Sequence, residues 1–101
     1  MADAPKGYVV AEVDVHDAEG FAAYRAAVPA VIAQYGGRYM ARGGAITGVE
    51  GEAPTGRIVI VEFPSKAQAE AFVHSAEYAP VAAIRQRTSS SRLFVVEGVE
   101  G

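Results

Sequence analysis

Two hydrophobic rhythms share this chain: short β-branched runs, and apolar residues recurring every three or four positions. The β-branched or otherwise strand-like runs are four. Tyr8–Val15 is rich in Val and follows Gly7, and Arg38–Arg42 lies between Gly36-Gly37 and Gly43-Gly44. Arg57–Phe63 is almost unbroken Val and Ile until Pro64 stops it, and Arg92–Val96 follows the polar loop Ser89-Ser90-Ser91 and fades into Gly98. Branched side chains pack well on a pleated surface, and Gly, Pro and Ser clusters interrupt it, so these segments predict four strands.

Between the first two strands, Phe21, Tyr24, Val28, Val31, Ile32 and Tyr35 form one apolar stripe at helical spacing. Asp17 is placed to accept hydrogen bonds from the first-turn amides, and Gly36 to end the helix after Tyr35. Pro29 lies inside the pattern and predicts a kink or a break into two pieces. A second helical region begins at Ser65, with Gln68 in the capping-box position and Ala69, Phe72 and Val73 on its inner face. Ser75 opens a further turn or helix through Tyr78, Val81, Ala82 and Ile84 to Arg87, with Pro80 tolerated in or near its first turn. Residues Gly43 to Gly56, with many glycines and few large apolar side chains, read as a long hairpin connection.

The predicted order is βαββαβ. With right-handed crossovers it gives an α+β, ferredoxin-like fold: a four-stranded antiparallel sheet with the helices on one face. An antiparallel sheet with one wet face would alternate apolar and polar residues. Here Val9, Ala11 and Val13 alternate with Tyr8 and Val10, Val59 and Val61 with Ile58 and Ile60, and Phe94 and Val96 with Leu93 and Val95. Helices cover only one face, so the second predicts a partner sheet, most simply that of a two-fold homodimer.

At 101 residues the chain has room for one domain, 1–101, with an ordered core expected over about 7–98. Half of it is apolar and its net charge is −3, a globular balance whose acidic sign disfavours nucleic acid and anionic membrane surfaces. The sequence has no Cys, which excludes disulfides, thiolate metal sites and a Cys nucleophile. Met1–Lys6 lacks a basic start followed by an apolar run, and no apolar segment reaches the roughly 20 residues of a membrane helix. A soluble, cytoplasmic protein is expected.

Tyr24-Arg25 with Val28-Pro29, Gly36-Gly37-Arg38-Tyr39, Arg42-Gly43-Gly44, Glu50-Gly51, Glu62-Phe63-Pro64-Ser65, Ser75 with Glu77-Tyr78, Arg85, and Arg92 through Glu97-Gly98 follow one another at characteristic spacing. In this order they resemble the short bacterial proteins grouped as domain of unknown function 1330, within the dimeric α/β-barrel superfamily. The resemblance spans nearly the whole chain and implies two ferredoxin-like sheets packed face to face as a dimeric barrel. It departs at His74, where relatives often carry Asn. That superfamily includes cofactor-free monooxygenases, isomerases and haem proteins, so the resemblance implies a fold and an assembly but no single reaction.

Candidate chemistry rests on a few side chains. Glu62 interrupts an apolar strand, where a carboxylate must pair with a cation such as Arg38 or Arg57 or have its pKa raised. Arg42, beside two glycines, offers a planar fork of donors to a carboxylate or carbonyl, or an ion pair across the dimer. Tyr24 and Tyr78 descend from opposite helical regions, where barrels of this kind hold a cavity, although buried tyrosines commonly just pack. His74 is a candidate base, or simply a helix-end residue facing the last carbonyls. His16 with Asp14, Asp17 and Glu19 lacks the spacing of a metal site, and the Ser and Gly runs form neither a hydrolase elbow nor a phosphate loop.

The expectation is therefore a ligand site of Tyr24, Arg42, Glu62 and Tyr78, with Glu62 and His74 as catalytic candidates and no metal or cofactor. The leading reading is a homodimer that binds a small, partly apolar organic molecule between helices and sheet. A cofactor-free monooxygenase- or isomerase-like enzyme, and an interaction module without a pocket, are the alternatives.

Overall fold

The computed structural model describes residues 5–100, so the reading of Met1–Lys6 as a leaderless start falls mostly outside them. The elements run β1 (Gly7–Val15), α1 (Ala18–Gln34), β2 (Arg38–Arg42), β3 (Arg57–Phe63), α2 (Lys66–Val73), α3 (Ala79–Thr88) and β4 (Ser89–Glu97). The strands pair antiparallel in the order β2-β3-β1-β4, which is the ferredoxin-like arrangement expected from the element order. No helix among the described residues is long and apolar enough to cross a membrane.

Helix α1 starts where the Asp17 carboxylate accepts the Gly20 amide at 3.0 Å and ends in a Schellman turn. Gly36 takes φ 81°, and the amides of Gly36 and Gly37 reach back to the carbonyls of Ala33 and Ile32. Of the kink or break expected at Pro29, the break does not occur: α1 runs unbroken through it. Proline removes one intrahelical bond, but Phe21, Val28 and Ile32 on either side are buried against the rest of the domain and hold both halves in register.

Ser65 caps α2 by accepting the Gln68 amide, yet the Gln68 side chain does not return to close the capping box. It donates instead to the Tyr35 carbonyl at 3.0 Å, tying the start of α2 to the end of α1. A second correction concerns Ser89-Ser90-Ser91, read from sequence as a loop. These residues are the first of β4, pairing with Val15, Asp14 and Val13. Their hydroxyls do not oppose the strand: Ser89 donates to the Arg85 carbonyl and Ser91 accepts from the Arg85 guanidinium. Helix α3 therefore passes into β4 with no connecting residues.

All three helices pack on one sheet face. Val9, Val61 and Phe63 meet Val28, Ile32, Ala69, Phe72, Tyr78 and Ala82 in one buried cluster, and Ala11, Val13 and Phe21 extend it. The other face carries Val10 between Ile60 and Phe94, with Ile58 and Val96 alongside. Phe94 and Val96 are 51% and 46% exposed there.

Candidate functional site

Because the sheet alternates its side chains, β1, β3 and β4 present Val9, Ala11, Val13, Val59, Val61 and Leu93 toward the helices. Phe21, Tyr24, Val28 and Ile32 of α1, with Phe72 and Tyr78, face them from above. The two layers do not close completely. A cavity of about 540 Å³ lies between them, with exposed Ala22, Arg25, Ala26 and Arg42 at its border. This volume falls within the range of small-molecule sites, and the walls are apolar with a few convergent polar groups.

Two of those polar groups are the hydroxyls of Tyr24 and Tyr78, 2.9 Å apart. Ser75 sets the second of them: its hydroxyl donates to the Phe72 carbonyl and accepts the Tyr78 amide, which turns the chain so that the Tyr78 ring lies 4.4 Å from that of Phe72. Burial, reinforced by the neighbouring Tyr78 hydroxyl, pushes the Tyr24 pKa well above the usual phenol value. Tyr24 thus stays protonated at neutral pH and acts as a hydrogen-bond donor or acceptor, not as a base. The pair carries two protons and uses one between its members; neither hydroxyl has another partner among the described residues.

The third polar group owes its position to an irregularity of β2. Tyr39 lies opposite Val61 and Arg42 opposite Val59, although residues three apart in a regular strand point to opposite faces. A bulge between Tyr39 and Ala41 adds the residue that restores the parity, so Tyr39 and Arg42 both face the cavity. The Arg42 guanidinium sits 4.6 Å from the centre of the Tyr39 ring, a cation–π arrangement. Arg57, opposite Val13, borders the same cavity. Gly43, at φ 70°, leaves room for it: a Cβ there would come within 2.7 Å of the Arg57 guanidinium.

Of the residues expected to form a site, the cavity brings together Tyr24, Arg42 and Tyr78. Glu62 is not with them. It lies one position out of phase with Val61 and Phe63, on the opposite face of the sheet, where it accepts from the Tyr8 hydroxyl at 2.9 Å and from Arg38 Nε at 2.9 Å. The Tyr8 bond, followed by Arg38, holds its pKa below the usual carboxylate value. Glu62 is thus an ion-paired carboxylate, and its expected place at the cavity is corrected. His74 is also absent from the cavity wall; it is exposed and ends α2, its amide bonded to the Glu70 carbonyl.

Arg25, Tyr39 and Arg57 border the cavity without having been assigned to it from sequence. Arg25 follows Tyr24 on the helix and Arg57 begins a strand, positions at which a solvated Arg is the ordinary reading. Among the described residues, none of those on the cavity wall is Asp, Glu, His or Lys. Among the described residues, no cluster of His, Cys, Asp or Glu could hold a metal ion.

The crystal structure of RPA0582, a protein of unknown function from Rhodopseudomonas palustris, superposes with a TM-score of 0.73 at 18% identity, covering 99% of this chain and 87% of the other. The methylated form of RPA0582 gives 0.71 at 20% identity, covering 97% and 84%. SnoaB, a cofactor-independent oxygenase from Streptomyces nogalater, gives 0.67 at 16% identity, covering 97% of each chain. These likenesses are of fold. No curated protein matches the sequence at a significant level. The sequence profile of the family described as domain of unknown function (DUF1330) matches residues 6–99, and the chain belongs to that family.

Proposed function

We propose that this protein binds a small, partly apolar organic molecule in the cavity between α1 and the sheet. One observation carries the reading: an apolar chamber of about 540 Å³ into which few polar groups, the Tyr24–Tyr78 pair and Arg42 among them, converge. Such a chamber favours a binding site over a module without a pocket. Fluorescence titration with phenylnaphthylamine, a neutral dye that brightens in apolar surroundings, tests the proposal. Saturable binding of one dye per chain is expected, and it should weaken at least tenfold in Ala26→Phe, which places a ring at the cavity border on an exposed helix position. Failure of the wild-type protein to bind the dye saturably would refute the reading.

Catalysis is the second reading, favoured by the fold likeness to SnoaB, a cofactor-independent oxygenase. It would have to run without a carboxylate or imidazole base, since neither borders the cavity. The groups available to it are the tyrosine hydroxyls and Arg42, which can stabilise a developing oxyanion. A substrate that ionises readily by itself is the only kind this set suits. For that reason binding is the stronger proposal.

The functional unit is proposed to be a homodimer joined through the outer sheet face. Val10, Ile58, Ile60, Phe94 and Val96 form an apolar strip there, flanked by the ion pairs Arg38–Glu62 and Arg92–Glu12. Large apolar side chains gathered on one face are costly to leave in water, and a second copy supplies a matching strip with charges of both signs at its rim.

A further inference from the structure

Resting on the proposed cavity site, we infer that its ligand is an anion: an apolar body carrying a carboxylate, sulfonate or ionised enol that is held by Arg42 and Arg57. The argument begins with how charge is distributed. The chain holds 12 acidic and nine basic residues, yet the cavity border has three arginines, Arg25, Arg42 and Arg57, and no acid. Among the described residues the ion pairs are Arg38–Glu62, Lys66–Glu70 and Arg92–Glu12, so none of the three has a carboxylate partner.

The backbone places two of these cations side by side. Arg42 lies opposite Val59, two residues along β3 from Arg57, which makes the pair diagonal neighbours about 7–8 Å apart at Cα. Both face the helices, Arg42 because of the bulge and Arg57 by strand parity. Two like charges on neighbouring backbone positions repel each other, and an anion held between the two side chains would relieve that repulsion while accepting from both forks. Gly43, whose missing side chain makes the space that Arg57 occupies, completes the arrangement. Arg85 adds to the potential from inside: it is 7% exposed, has no carboxylate partner among the described residues, and its charge acts on the Tyr24 hydroxyl. The proton left over from the tyrosine pair offers one more donor within the same chamber. Among the described residues, every polar side chain on the wall is therefore an arginine or a tyrosine, and each suits an electron-rich ligand.

The test compares two dyes with the same kind of apolar body, anilinonaphthalenesulfonate (anionic) and phenylnaphthylamine (neutral), by fluorescence titration at low and high salt. The anionic dye is expected to bind about tenfold or more tightly, as charge-assisted bonds allow, and to lose much of that advantage in high salt. The double substitution Arg42→Gln with Arg57→Gln should bring the ratio of the two dyes' affinities to near one, a readout in which any loss common to both dyes cancels. Arg38→Gln, on the opposite face of the sheet, should leave both affinities unchanged. Equal binding of the two dyes by the wild-type protein would overturn the anion assignment and leave the cavity reading standing. An anionic preference that survives the double substitution would overturn it too, because the dye would then be seated elsewhere. Binding of neither dye would overturn both readings. The wild-type comparison needs no variant, so a poorly folded double variant would not rescue the idea.

Discussion

The Tyr24 and Tyr78 hydroxyls meet 2.9 Å apart inside the domain, one from the middle of α1 and the other from the turn that Ser75 sets before α3. They join two elements far apart in sequence across an otherwise apolar space. Each hydroxyl is the other's partner, so removing one leaves the second unpaired. Tyr78→Phe and Tyr24→Phe should each cost about 1 kcal/mol in urea unfolding, and the double variant no more than the worse single one. Additive losses would show that the two hydroxyls do not depend on each other.

On the opposite face, the Tyr8 hydroxyl is the main cause of the lowered Glu62 pKa, with Arg38 second. A carboxylate whose folded pKa is depressed adds stability above its unfolded pKa, and that stability is lost as pH falls through the folded value. Tyr8→Phe should therefore raise the Glu62 pKa, measured by carboxyl NMR titration. The stability difference between wild type and Tyr8→Phe should be present at neutral pH and shrink through the acid range below the ordinary carboxylate pKa. A Glu62 pKa indifferent to Tyr8 would contradict the assignment.

How far these sites can be read from sequence depends on what each depends on. The strands and helices were legible because they follow from local spacing: the stripe from Phe21 to Tyr35, the β-branched run ending at Phe63, and the caps Asp17 and Ser65. Ser89–Ser91 was misread because its pairing with β1, not its composition, makes it a strand. Glu62 was misplaced for a related reason. Both parities of β3 are apolar, so the sequence does not say which one the helices cover, and Glu62 shares its face with Ile58 and Ile60. Arg42 reaches the cavity border only through the bulge in β2, which has no signature in Arg-Tyr-Met-Ala-Arg.

Gly43 and Gly44 form a matched pair for mutation. Gly43→Ala forces a side chain into φ 70° and against the Arg57 guanidinium, so it should cost roughly 1–2 kcal/mol and weaken anionic-dye binding severalfold. Gly44 has nothing within 4 Å of where a Cβ would stand, and Gly44→Ala should change stability by no more than about 0.5 kcal/mol. Thermal or urea unfolding of the two variants, with one dye titration each, decides the matter. Equal effects would mean that Arg57 does not need the space beside Gly43.

The proposed dimer predicts that a charge at the centre of the outer face is damaging. Val10 lies between Ile60 and Phe94, and Val10→Glu should dissociate the dimer and lower the unfolding temperature together. Sedimentation velocity at micromolar concentration gives the mass. A wild-type protein that sediments as a well-folded monomer would contradict the assembly, and the apolar strip would then need another cover.

The account turns on which face of the sheet meets a small molecule, and the strands themselves provide the readout. Val59, Val61 and Leu93 face the cavity, while Ile58, Ile60 and Val96, one or more positions away on the same strands, face outward. Methyl-resolved NMR of the protein during titration with phenylnaphthylamine separates the two sets. Saturable shifts confined to Val59, Val61, Leu93 and the cavity side of α1, with Ile58, Ile60 and Val96 unmoved, are the predicted result. Shifts centred on Ile58, Ile60 and Val96, with the cavity methyls silent, would contradict it.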